Sequence, residues 1–226
     1  MDPCRNIFIS PSVLGVKCGI LMKLYFKCMF LLSLIIGVSG VVTGLIAPIS
    51  AFESNSVMEL FERVEGLSLS RNGYTLGAVL DDRQKKIAES NPVQSDTVKS
   101  YKFQDRGLNL VVDADTHRII VMYEHFEALD EHQIKKLAGA LLLDFGEPTV
   151  VAHDALFYWA YGDQGLMKPE AFNQAKAQKK DPDILATVKL NSEIPIMGKQ
   201  EAKDEKLLGT AYYIISSNLL LVHFVP

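Results

Sequence analysis

The sequence predicts an α+β fold in which an antiparallel meander sheet carries two helices packed on one face. Apolar residues at helical spacing follow Asp130, and short strand-like segments are joined by connections too short for parallel crossovers. A similar helical sequence occurs 49 residues earlier. This recurrence indicates a duplicated helix-plus-strands unit as one interpretation of the fold.

The first 51 residues predict an export signal or a membrane anchor. No charged residue occurs in the 25 positions between Lys27 and Glu53, and a helix of that length can cross a bilayer. The cations precede this segment and carboxylates follow it, so the positive-inside rule places the body outside the cytoplasm. We therefore divide the chain into residues 1–51, a signal peptide or transmembrane anchor, and residues 52–226, an exported α+β domain.

The segment has two interpretations, a signal peptide that is cleaved and an anchor that is retained, and we favour cleavage. Residues 22–27 resemble a basic n-region and a cut after Ala51 is plausible, with translation then starting at Met22. Gly40 and Gly44 instead have the small-xxx-small spacing of packed transmembrane helices. If the segment is retained, we expect membrane contact only through residues 29–47.

The body is acidic and contains no cysteine. The net charge of the chain is -4 and residues 1–51 carry +3, which leaves -7 for the rest. An acidic body argues against a nucleic-acid partner, because binding to phosphates needs clustered cations. The cysteines Cys4, Cys18 and Cys28 all precede the apolar run. The body can therefore form neither a disulfide framework nor a thiolate metal site.

The clearest helix begins after Asp130, which with Gln133 forms a capping-box pattern. Its apolar stripe consists of Ile134, Leu137, Ala138, Leu141, Leu142 and Phe145, and Gly146 and Pro148 end it. Residues 80–88 match residues 129–138 at six of nine positions when one residue is skipped. We interpret the two as duplicated helices, with a shared start signal arising by chance as the alternative.

Strand-like segments follow each predicted helix. The first set comprises residues 98–104, 108–112 and 118–123, with a turn at Asp113. The second set comprises residues 149–152, 156–161, 184–190, 211–216 and 219–225, the last two joined by a hairpin at residues 216–218. Residues 168–183 and 198–206 are polar and predict exposed helices or loops.

Residues 74–161 resemble small bacterial envelope domains typified by the β-lactamase inhibitor protein and the outer-membrane assembly lipoprotein of similar fold. The motifs that carry the resemblance are residues 76–77 leading into 81–88, and residues 130–138 leading into 145–149. The resemblance implies binding or assembly of other envelope proteins rather than catalysis. The chain lacks the lipidation cysteine and the inhibitor's disulfides, so neither specific role is carried over.

The sequence contains no recognisable catalytic or metal-binding constellation, and we predict no catalytic residue, no metal and no cofactor. No two histidines have the i, i+4 spacing that, with a glutamate, marks a zinc hydrolase. Asp113 begins a calcium-like spacing, but Arg118 occupies the position that requires glycine. A metal site assembled from distant positions stays open.

Four aromatic residues are the candidate binding residues. Strand alternation places Phe157, Trp159 and Tyr161 on one face and Tyr158 on the other. The three-ring face either packs beneath the helix that follows Asp130 or faces outward as a binding platform.

These features predict an exported envelope (periplasmic) module that binds or assembles another envelope protein. The first alternative is a periplasmic hydrolase that uses His153 or His132 with nearby carboxylates. The second alternative is a membrane-anchored subunit of an inner-membrane complex.

Overall fold

The computed structural model describes residues 49–95, 97–197 and 208–224, with side chains from Ser56 onward. The predicted signal or anchor lies outside the described residues up to position 48, as does the segment 198–206. Within the described residues, the helices are α1 (Ile49–Gly66), α2 (Asp82–Ser90), α3 (Glu131–Phe145), α4 (Pro169–Ala177) and α5 (Asn218–Phe224). None of them is both long enough and apolar enough to cross a bilayer.

The strands form one large antiparallel sheet and one small hairpin. The hairpin consists of β1 (Ser70–Arg71) and β2 (Tyr74–Thr75). The large sheet consists of β3 (Pro92–Val93), β4 (Ser100–Asp105), β5 (Leu108–Asp113), β6 (Ile119–Leu129), β7 (Val150–Ala152), β8 (Leu156–Gly162), β9 (Gly165–Leu166), β10 (Ala186–Ser192) and β11 (Gly209–Ser216). Every pairing of these strands is antiparallel, which confirms the predicted α+β meander.

The strand order places β6 and β11 side by side at the centre of the large sheet. It runs β3-β4-β5-β6-β11-β10-β8-β7, with β9 pairing β8 beside this path. Helix α2 precedes four strands, of which the last is β6. Helix α3 precedes five strands, of which the last, β11, pairs with β6. The two helix-plus-strands units thus join at one central seam, β6 against β11.

The predicted capping box at Asp130 is present, and Asp81 forms a second one at the start of α2. The Asp81 carboxylate accepts a hydrogen bond from the Gln84 backbone N–H at 2.7 Å, and the Gln84 side chain accepts one from the Asp81 N–H. Asp130 and Gln133 repeat the same reciprocal pair. Such caps satisfy N–H groups that a helix start leaves without partners, and this is why both helices begin where the sequence predicts.

Helices α1, α2 and α3 and the β1–β2 hairpin lie on one face of the sheet, which we call the inner face. Phe145 of α3 packs against Trp159, and the Trp159 Nε1 donates to the Gly146 carbonyl at 2.8 Å. The Tyr74 ring of the hairpin meets Phe103 edge-on. The buried apolar side chains of these elements form a single core cluster.

The predicted C-terminal strand is wrong, because residues 218–224 form helix α5. A short apolar run does not distinguish strand from helix by periodicity. Here the Ser217 hydroxyl accepts from the Leu220 N–H, Leu220 is fully buried, and Phe224 packs against Phe61 of α1. Docking onto α1 therefore decides the conformation of this run.

The segment predicted as an exposed helix or loop at 168–183 contains α4. Its buried residue Phe172 packs on Tyr158, on the face of the sheet opposite α1, α2 and α3. Helix α1 has no counterpart among the predicted elements, although Val57, Leu60, Phe61 and Val64 have the spacing of an apolar stripe.

Candidate functional site

The three-ring face of β8 is part of the core. Phe157, Trp159 and Tyr161 are all buried, and the Tyr161 hydroxyl donates to the Phe145 carbonyl at 3.3 Å. The outward platform considered for these rings is therefore incorrect, since α3 covers them. The physical reason is the large apolar area of the rings, which the amphipathic helix α3 removes from water.

Tyr158 lies on the opposite face, as strand alternation predicts, and is only partly buried. There it ends the first of two rows of side chains that cross the sheet. The first row is fixed by register as Gln104, Asn109, Tyr123, Ile214, Lys189 and Tyr158. The second row is His125, Tyr212, Asn191 and Leu156. We call these ten residues the open face.

The open face is partly accessible to solvent, with Gln104 and His125 exposed and the other eight residues half-buried. None of its ten residues is buried, in contrast to their neighbours on the inner face of the same strands. Helix α4 covers its Tyr158 end through Phe172. The sheet positions these side chains firmly, because the core residues on its other side are close-packed.

The composition of the open face is that of a recognition surface. It presents three tyrosines and three side-chain amides, which combine large contact area with adaptable hydrogen bonding. Lys189 lies over the Tyr212 ring, with Nζ 5.9 Å from the ring centroid. None of the ten residues is a carboxylate, although the body carries -7. The ten residues therefore carry no negative charge of their own, and the carboxylate of Glu193 lies close enough to His125 to interact with it.

The histidines do not form a catalytic cluster in the described part of the chain. The Nδ1 of His117 lies 2.9 Å from the Tyr101 hydroxyl, and His125 is exposed on the open face. His132 lies on α3 and His153 lies in the turn between β7 and β8 with a left-handed backbone. Within the described residues, no three histidine, aspartate or glutamate side chains are placed to hold a metal ion.

A polar network beneath the sheet joins the β1–β2 hairpin to the core. Arg71 Nε donates to the Tyr213 hydroxyl at 3.2 Å, and that hydroxyl donates to Glu124 at 2.7 Å. Arg71 also pairs with Asp144 at the end of α3. Burial raises the pKa of Tyr213, and its hydrogen bond to Glu124 adds to this. The network cross-links four elements, β1, β6, β11 and α3, and no local spacing in the sequence predicts it.

A scan against protein-family models finds no match for this chain. Searches of curated proteins and of solved structures find no similar protein either.

Proposed function

We propose that this protein is an exported cell-envelope protein that binds another protein through the open face. The observation that carries the proposal is the pair of rows that cross the sheet without a carboxylate and with three tyrosines. Tyrosine and asparagine are favoured at protein contacts because they supply area and hydrogen bonds at low entropic cost.

The charge of the open face defines the partner's chemistry. Lys189 is the charged residue among the ten, so the complementary surface carries a carboxylate between apolar or aromatic contacts. The acidic remainder of the domain repels the same partner elsewhere, which orients the encounter. The proposed partner is therefore a protein whose contact surface carries carboxylates.

The proposed location is supported by the charge distribution of the first 53 residues. Cations precede the apolar segment and Glu53 follows it. Insertion in that orientation delivers the domain outside the cytoplasm. Cleavage releases it to the periplasm, whereas retention keeps it beside the membrane.

Site-specific photo-crosslinking tests the binding role. A photoreactive amino acid replaces Tyr212 on the open face of the full chain, carrying a C-terminal tag, and cells are irradiated. We expect one dominant adduct of defined mass, whereas the same amino acid at Lys86, on exposed α2, gives none. Lys189→Glu should weaken the Tyr212 adduct by roughly tenfold, because it places like charges against the partner's carboxylates.

Two outcomes decide against the proposal. Equal adducts from Tyr212 and Lys86 would show that the open face is not a specific contact. Protection of the C-terminal tag from protease in spheroplasts would place the domain inside the cell. Carbonate extraction of the same sample separates a cleaved domain from an anchored one.

A further inference from the structure

A second surface lies on the inner side of the sheet, between α3 and β7. It is a groove of about 440 Å³. Its apolar lining includes Leu142, Val151 and Met197, which are 37%, 43% and 49% exposed. These three neighbouring side chains give the groove an exposed apolar lining.

One face of α3 forms a wall of the groove. Lys135, Ala138, Gly139 and Leu142 line it, at the i, i+3, i+4 and i+7 positions of one helix face. A Cβ placed on Gly139 would meet no atom within 4 Å. The wall therefore has room at its centre for an incoming side chain.

The other wall is a strand with one side unpaired within the described chain. Strand β7 pairs with β8 on one side and ends the described strand order on the other. Val151 pairs with Phe157 in register and so projects toward α3. An unpaired strand edge offers backbone N–H and C=O groups to another extended chain.

We propose that this groove binds an extended apolar segment of a partner protein, which pairs with β7 as an added strand. Alternate side chains of that segment enter the space over Gly139, and its backbone bonds to the β7 edge. The site is separate from the open face and does not depend on the function proposed for it.

The charge at the groove indicates a basic flank on the partner segment. Exposed Glu147 lines one end, next to the C-terminal end of α3, where the helix dipole is negative. At the other end Lys135 is paired with Glu131. A lysine or arginine beside the apolar segment is therefore matched by Glu147.

The sequence next to the groove argues against residues 198–207 as its occupant. Residues 198–207 directly follow Met197 and contain six charged side chains. Burying such a segment in an apolar groove would desolvate those charges at high cost.

Peptide binding to the purified full chain tests the proposal by fluorescence anisotropy. The probe is a labelled eight-residue peptide of alternating valine and threonine with a lysine added at each end. We expect saturable binding, about tenfold weaker for a probe with glutamates at both ends. Methylating alternate backbone nitrogens of the lysine probe should abolish binding, because strand pairing needs those N–H groups.

Two variants locate the binding. Gly139→Leu fills the groove while favouring the helical conformation, and Val151→Glu places a charge in it. Each should weaken binding by about tenfold or more, in the range of an interface anchor. Val98→Glu is the matched control, since Val98 is 96% exposed in a distant loop, and it should leave binding unchanged.

The Trp159 emission of each variant reports whether the core is intact, so a loss of binding is scored only in folded protein. If Val151→Glu does not fold, Gly139→Leu decides alone. Absence of saturable binding overturns the proposal, as does full binding by the methylated probe or by Gly139→Leu.

Discussion

Trp159 shows how alternation and burial combine at the level of one residue. The alternation along β8 assigns its ring to the same face as Phe157 and Tyr161, and the structure covers that face with α3. Its indole N–H is satisfied by the Gly146 carbonyl, so the ring is buried without an unpaired donor. Tyr158, one position earlier, lies on the open face instead.

Trp159 is the sole tryptophan, so its fluorescence reports on this site alone. We expect blue-shifted emission and weak iodide quenching in the folded protein, because the ring is 0% exposed. Unfolding in guanidinium chloride is the control and should shift the emission to the red. Red-shifted emission from folded protein would contradict the burial of the β8 rings.

The buried tyrosines predict a loss of stability in alkaline solution. Burial raises the pKa of Tyr74 and of Tyr161 to about 12, from an ordinary value of 10.0. Between these values the folded protein holds more protons than the unfolded chain, so stability is complete below pH 10 and falls as the pH rises toward 12. Urea unfolding at a series of pH values measures this.

Tyr161→Phe should reduce the alkaline slope, because it removes one of the titrating groups. It also removes the hydrogen bond to the Phe145 carbonyl, so its stability at neutral pH is compared separately. A free energy of unfolding that stays constant across the alkaline range would contradict the prediction.

At the level of the element, local signals explain the helix starts and packing explains the rest. The capping boxes at Asp81 and Asp130 are formed by residues three positions apart, so the sequence contains all that they need. Helix α5 depends instead on distant elements, and so does the edge of β7 that has no partner strand among the described residues. Helix α5 packs against α1, and the position of β7 at the edge follows from the order of the strands.

Two glycines should respond oppositely to alanine. Gly139→Ala should stabilise the protein by about 1 kcal/mol, because glycine is a poor helix former and the added Cβ meets open space. Gly77→Ala should cost about 2 kcal/mol or more, because its φ is +83° and the Cβ would lie 2.8 Å from the Glu65 backbone nitrogen. Thermal unfolding of both variants measures the difference. Equal shifts in Tm would contradict this contrast.

At the level of the whole molecule, the seam between β6 and β11 joins the two units into one sheet. Met122 and Ile215 pair across it on the inner face, and both are fully buried. The core cluster continues through this seam from α2 to α3. A single sheet with a continuous core should unfold cooperatively, although residues 80–88 and 129–138 suggest two similar units.

Ile215→Ala should destabilise both units together by about 2 to 5 kcal/mol, as expected for a large-to-small change in a close-packed core. The denaturation midpoint should fall equally when followed by Trp159 emission and by hydrogen exchange in α2. Ile214→Ala is the matched control, since Ile214 lies on the open face and is only partly buried. Separate transitions for the two probes would show that the units unfold independently.

The sequence alone determined the features that depend on near neighbours. These are the α+β class, the two capped helices, most strand positions and the alternation along β8, because each follows from residues a few positions apart. Helix α1 carried a similar signal in its apolar stripe.

Only the tertiary structure decided which face of β8 is covered, that residues 218–224 are helical, and which side chains share the open face and the groove. These depend on strand register and on packing between elements far apart in the chain. A pattern of apolar residues indicates that one face of an element is buried. Which neighbouring element buries that face depends on the tertiary fold.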